Sequence, residues 1–230
     1  MTGRTGQECR VDEETWARRD RIAAALRERR ADLASMYEMA HSLLDHGSNK
    51  GGERVRVSLI CHAMREVMAK SVRALARSAS PRVTPTSGEQ VQRLPALLTA
   101  HPDMNLEGAA PQIVVPLPAA RAFDRLLKTA VQETARNRGD VASLLTDDGN
   151  EAHPAVAAWI ETSRYFVKWA HLHDDDLAPE VLPDDNELKA RIATYEELMD
   201  GVLTEFFQLQ RSIAALLKQI NEGTGDLLDV

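Results

Sequence analysis

Ten positions near the C-terminus constrain this chain more than any other feature. Leu188, Ile192, Tyr195, Met199, Val202, Phe206, Leu209, Ile213, Leu216 and Ile220 follow alternating steps of four and three, and each is apolar or aromatic. Such steps stay close to the helical repeat, so the ten residues line one side of a long helix. Asp184, with Glu187 three positions on, forms a capping-box-like start, and Gly223 and Gly225 end the helix after Asn221. Leu198, Leu203, Phe207 and Leu217 widen the stripe. A widened stripe is expected to touch two neighbouring helices inside a bundle, where an isolated coiled coil would need only the narrow seam.

The partners for such a bundle can be read upstream. From Asp12 to His46, Trp16, Ile22, Leu26, Leu33, Met36, Ala40, Leu43 and Leu44 recur at helical intervals until Gly47. After a Gly-rich turn, Val55, Leu59, Ile60, Ala63, Met64, Val67, Met68, Val72 and Leu75 mark a second long helix. Pro118 opens a third, which Asn137 and Gly139 are expected to stop, with one more turn over 140–145; Pro154 opens a fourth through about His171. Seven of the ten prolines fall between Ser80 and Pro118, where a short helix is expected near Glu89 to Ala100. The run Gln112 to Leu117 is the one strand-like stretch, and Pro111, Pro116 and Pro118 argue against its joining a sheet. The expected fold is all-α: a multi-helix bundle of about five long helices with a proline-rich insertion over 79–118, in a single domain flanked by flexible tails at 1–11 and 222–230.

Composition fits a folded, water-soluble chain, with 43% hydrophobic and 27% charged residues among 230. No stretch reaches the roughly 20 uncharged apolar residues of a spanning helix, and the N-terminus has no apolar core of a signal peptide. A cytoplasmic protein with no membrane partner is expected. Two cysteines, Cys9 and Cys61, provide neither a disulfide framework nor a metal knuckle; Cys61, beside Ile60, reads as core packing. The glycines match no phosphate-binding spacing, and no cofactor is expected. Trp16, Trp159 and Trp169 are too dispersed for a base-stacking platform and read as core or interface anchors. Charge is uneven. The first hundred residues carry 17 Lys and Arg against 12 Asp and Glu, while the remainder carries 11 against 23. Glu53 to Arg82 holds Arg54, Arg56, Arg65, Lys70, Arg73, Arg77 and Arg82 against only Glu53 and Glu66. Such a strip either docks a polyanion or complements an acidic face of a protein.

The fourth helix carries the candidate chemistry. Arg164 and His171 are seven residues apart, about 700° of rotation and so 20° short of two turns, which places them on one face. Glu161, Lys168 and Asp175 extend that face. A guanidinium suits a phosphate and an imidazole exchanges protons near neutral pH, so the pair is suited to a phosphodiester without a metal. Arg56 and His62 have a comparable spacing but stand about 600° apart, on different faces. The alternative is that Arg164 and His171 belong to the solvated side of an amphipathic helix. His171, His173, Asp174, Asp175 and Asp176 hold imidazoles and carboxylates that could chelate a divalent ion, but an acidic loop before the next helix explains them, and no metal site is expected. His62 and Glu66, one turn apart, offer either a base with its orienting carboxylate or an ordinary helix pair.

The octapeptide Arg164-Tyr165-Phe166-Val167-Lys168-Trp169-Ala170-His171 is similar to the Arg-x4-6-His signature of HEPN domains, and Ser58 to Glu66 resembles an early helix of that family. The resemblance covers about half the chain. It implies a small helical bundle in which two protomers bring their motifs together to cleave RNA without metal. Carried over, Arg164 would hold the phosphate and His171 would assist attack by the 2′-hydroxyl or departure of the leaving group, leaving a cyclic phosphate. Glu161 and Lys168 are supporting candidates, and Arg54, Arg65, Arg73 and Arg77 are RNA-docking candidates. The implied partners are a second copy of the chain and RNA. The competing expectation is a non-catalytic helical adaptor or regulatory subunit that binds a protein partner through its apolar seam.

Overall fold

The computed structural model describes residues 5–46, 52–75, 81–102, 104, 114–171 and 181–204. These residues are helical with connecting turns, and no strand occurs among them; Val114, in the strand-like run, is 90% exposed. The elements are α1 (Thr5–Arg29), α2 (Ala31–His46), α3 (Glu53–Leu75), α4 (Ser87–Val91), α5 (Leu94–Ala100), α6 (Leu117–Leu145), α7 (Pro154–Trp169) and α8 (185–204). No helix among the described residues is long and apolar enough to cross a membrane.

Two compact units divide the chain. One comprises 1–77 and 141–230; the other is 78–140. The first is a bundle of α1, α2, α3, α7 and α8, joined by the last residues of α6. Its core contains Ile22 and Leu26 of α1, Leu33 and Tyr37 of α2, Ile60, Met64 and Met68 of α3, Phe166 of α7, and Leu188, Ile192, Tyr195 and Met199 of α8. The last four are the described start of the four-three seam, each at most 1% exposed. At about 1.5–3 kcal/mol for each large apolar side chain removed from water, that seam is a principal stabiliser of the unit. The Asp184 cap is present: its Oδ1 accepts the Glu187 backbone N–H at 2.8 Å. Seam residues from Phe206 onward, and the expected tail at 222–230, lie outside the described residues.

Three helix limits differ from expectation. Helix α1 begins at Thr5, so residues 5–11 are helical where a tail was expected. The single helix expected over 12–46 is interrupted at Arg30, whose carbonyl accepts from the Leu33 and Ala34 amides at 3.0 and 3.4 Å. Arg27 nevertheless forms a salt bridge with Glu38. Eleven residues of straight helix span about 16 Å, too far for that pair, so α1 and α2 fold back as a hairpin. Helix α6 runs through Asn137 and Gly139 to Leu145. A glycine inside a helix costs only about 1 kcal/mol, whereas continuing the helix buries Val141, Ala142 and Leu144 in the core.

The second unit contains α4, α5 and α6 up to Asp140. The short helix expected over Glu89 to Ala100 is two helices separated by Gln92 and Arg93. Thr86 caps α4: its hydroxyl accepts from Glu89 N at 3.2 Å while the Glu89 carboxylate accepts from Thr86 N at 2.8 Å. Ser87 donates its backbone N–H and its hydroxyl to Glu133, and the Gln90 amide donates to Thr129 Oγ1 at 2.7 Å, tying α4 to α6.

Candidate functional site

Pro154 is the first residue of α7, and His153 caps it by accepting the Ala155 amide on Nδ1 at 3.1 Å. Val156, Trp159, Thr162, Phe166 and Trp169 then form the buried face. Glu161, Arg164, Val167 and Lys168 are left exposed on the remaining sides. The helix ends at Trp169, two residues before the expected end, and the Ser58 hydroxyl of α3 donates to the carbonyl of the following Ala170 at 2.9 Å. His171 is the next residue, exposed, and outside the helix. Helical pitch therefore does not set its angle to Arg164; the direction in which the chain leaves Ala170 does.

Arg164 and His171 both reach solvent, and neither has an ion-pair or hydrogen-bond partner among the described residues. Glu161 is engaged elsewhere, accepting from Arg191 of α8 at 2.9 Å, and the Arg191 guanidinium lies 5.1 Å from the Tyr165 ring centre. That arrangement straps α7 to α8. Lys168 places Nζ 4.7 Å from the Trp169 ring centre. The Ser58 to Ala170 hydrogen bond also joins the start of the segment Ser58 to Glu66 to the end of the segment Arg164 to His171.

The basic strip of α3 separates into different environments. Arg56 is buried, pairing with Glu53 and Asp185 and donating to the Leu43 carbonyl at 3.2 Å, so it belongs to the scaffold. Arg54 is half-buried; Arg65 is half-buried and bonded to Glu66 at 2.9 Å; Arg73 is exposed. Arg77 lies outside the described residues, as do His173, Asp174, Asp175 and Asp176. Glu66 is thus held by Arg65, while His62 is exposed. No group of three metal-ligating side chains occurs among the described residues. Cys61 is fully buried in the core; burial, with the charge of Glu187, pushes its thiol up to about 12. Trp159 and Trp169 are buried anchors, whereas Trp16 is 58% exposed with the Arg19 guanidinium 5.5 Å from its ring centre.

Two clusters escaped the sequence reading. Glu196 of α8 is 1% exposed and gathers three partners on Oε1: the Tyr37 hydroxyl donates at 2.7 Å, His41 Nε2 lies at 2.9 Å and Arg19 Nε at 3.3 Å. Burial pushes the Glu196 carboxyl up, but His41 and the Tyr37 hydroxyl, with the charges of His41 and Arg19, outweigh it and hold the group below the usual carboxylate range. Burial and the adjoining Glu196 charge raise the Tyr37 phenol. The signal was present in Tyr37 and His41, one turn apart on α2, and in Glu196, one turn after Ile192. The other cluster is a cavity of about 520 Å³ within the second unit, where Arg93 from the α4–α5 junction meets Arg125 and Lys128 of α6. No family model matches the chain, and neither a curated protein nor a solved structure matches it.

Proposed function

We propose that the chain is a HEPN-like protein, a bundle of about five long helices interrupted by a proline-rich segment, acting in the cytoplasm as a metal-independent endoribonuclease of the toxin or antiviral-defence type. The observation that carries this reading is the state of Arg164 and His171: both are solvent-accessible beside the end of α7, and no described carboxylate or carbonyl competes for either. The contact between Ser58 and Ala170, which unites the two HEPN-like segments, adds to it. In one copy the pair lies on an open surface. A homodimer that apposes two such surfaces would supply the cleft, Arg164 holding the scissile phosphate and His171 transferring the proton between the 2′-hydroxyl and the leaving oxygen. Lys168 and the exposed Arg73 would add backbone contacts to the RNA.

The test is incubation of RNA with the purified chain in EDTA. Cleavage to cyclic-phosphate ends, abolished by His171→Ala and by Arg164→Ala with the helical spectrum unchanged, supports the proposal. Intact RNA, or cleavage that survives both substitutions, refutes it. A second reading, a non-catalytic adaptor for a protein partner, is favoured by a different observation. Phe123, Leu127 and Val131 of α6, spaced by four, are 39%, 66% and 68% exposed, an apolar stripe of the kind that docks other proteins. Intact RNA together with loss of a copurifying protein in Leu127→Ser would select it.

A further inference from the structure

The cavity in the second unit differs from the rest of the surface in how its charges are balanced. Its lining includes three cations, Arg93, Arg125 and Lys128, and no carboxylate. The described acids of this unit all have partners, one of them Lys128 itself. Glu89 caps α4, Glu133 accepts from Ser87, Asp140 pairs with Arg136, and Asp124 takes Lys128 at 2.9 Å. Arg93 and Arg125 are left without an ion-pair partner among the described residues. With the Lys128 charge met by Asp124, two guanidinium groups at one concave space repel one another, and an anion entering that space relieves the repulsion.

The walls between the charges are apolar, with Val83, Leu94, Leu97 and Ala122 among them. The α6 wall is a regular stripe, Ala122, Arg125, Thr129 and Gln132 at steps of three, four and three, so one helix face presents methyl, guanidinium, hydroxyl and amide groups to the same space. Thr129 is itself buried, and the Gln90 side chain is fixed by bonds to Thr129 Oγ1 and to the Pro85 carbonyl, which makes that wall preformed. A volume of about 520 Å³ falls within the range of small-molecule sites, roughly 300–1,000 Å³. Inorganic phosphate would leave the apolar walls unfilled, and a neutral hydrocarbon would leave the guanidinium groups unanswered.

We propose that this cavity binds a small amphipathic anion, an apolar chain of medium length ending in a carboxylate or a phosphate. Arg93 and Arg125 receive the head group in charge-assisted hydrogen bonds, and Leu94, Leu97, Val83 and Ala122 enclose the chain. The site lies within 83–132 and does not involve Arg164 or His171, so it stands or falls apart from the ribonuclease proposal.

Isothermal titration of the full chain with decanoate and with decyl phosphate tests it, with decanol and inorganic phosphate as controls. At least one of the two anions should bind once per chain, at least tenfold more tightly than either control, and the preference between them identifies the head group. The double variant Arg93→Gln/Arg125→Gln should weaken binding at least tenfold with its helical spectrum unchanged. Ala122→Trp, which fills the space without altering charge, should abolish binding. Leu127→Ser, on the exposed apolar stripe of α6, should leave it intact. Failure of both anions to bind, equal binding of decanol or of phosphate, full affinity in the double variant or in Ala122→Trp, or loss of binding in Leu127→Ser each overturns the proposal.

Discussion

Replacing Glu196 with alanine is the sharpest test of how the first unit is held together. The carboxylate is 1% exposed, and one of its oxygens serves Tyr37, His41 and Arg19 together. Its removal leaves a buried phenol without its acceptor, and an almost buried imidazole and a guanidinium without the carboxylate beside them. Breaking a buried ion pair from one side costs about 3–5 kcal/mol. Arg19 keeps about a fifth of its side chain in water, so part of its charge is resolvated and the loss should fall near the lower end, about 3 kcal/mol. With a urea slope of about 2 kcal/mol per molar, the unfolding midpoint drops by about 1.5 M. Tryptophan fluorescence is the suitable probe, because Trp16, Trp159 and Trp169 all belong to this unit and the Trp159 ring centre lies 5.7 Å from that of Tyr195, the neighbour of Glu196. Tyr37→Phe should cost about 1.5 kcal/mol, and most of that cost should vanish when Glu196 is already alanine, since the hydroxyl then has nothing to bond. Acid should erase the difference between Glu196→Ala and the parent. The folded carboxyl lies below its unfolded value, so its contribution is complete above the unfolded pKa of about 4.3 and is lost as pH falls through the lowered folded value. A Glu196→Ala chain within about 0.5 kcal/mol of the parent at pH 7, or additive effects of the two substitutions, would refute this account.

Other substitutions probe single features. Arg56→Ala should cost about 2 kcal/mol in the same urea experiment, because it removes a buried guanidinium that bonds Glu53, Asp185 and the Leu43 carbonyl at once, although both carboxylates retain solvent. Cys61 should resist alkylation at pH 8 in the folded chain and react only after denaturation, its thiol being buried and pushed up to about 12. Gly201→Ala should stabilise by about 0.5–1 kcal/mol, since the position is helical and an added methyl meets nothing within 4 Å. Gly149→Ala should instead destabilise by about 1 kcal/mol, because its φ of +68° is disfavoured for any residue with a Cβ. Thermal melts read both glycine variants.

The helical class was legible because periodicity survives in sequence without knowledge of partners. Leu188, Ile192, Tyr195 and Met199 lie buried where the four-three spacing put them, Pro154 opens α7, and Asp184 caps α8. The limits that moved did so for tertiary reasons. Helix α6 passes Gly139 because Val141, Ala142 and Leu144 have a core to enter, and α7 ends beside the point where Ser58 of α3 donates to the Ala170 carbonyl. The fold-back at Arg30 carries no Gly or Pro and shows only in which side chains meet, such as Arg27 with Glu38. Site residues were less legible for a related reason. A spacing rule places Arg56 beside Arg54 and Arg65 in one basic strip, yet contact with Asp185, distant in sequence, takes Arg56 inside. Glu196 looks like an ordinary surface acid until Tyr37, 159 positions earlier, is seen to donate to it. Arg93 and Arg125 meet at one cavity only because α4, α5 and α6 fold together.

The shared oxygen of Glu196 also bears on how the protein is made. Arg19, Tyr37 and His41 leave the ribosome early, and the residue that completes them follows Tyr37 by 159 positions. At synthesis rates of about 5–20 residues per second, that interval is about 8–30 s. Throughout it Arg19, Tyr37 and His41 lack the carboxylate that α8 later brings to them. Within the first unit, Tyr37 therefore meets its buried acceptor only after α8 has been made, late in the synthesis of this sequence.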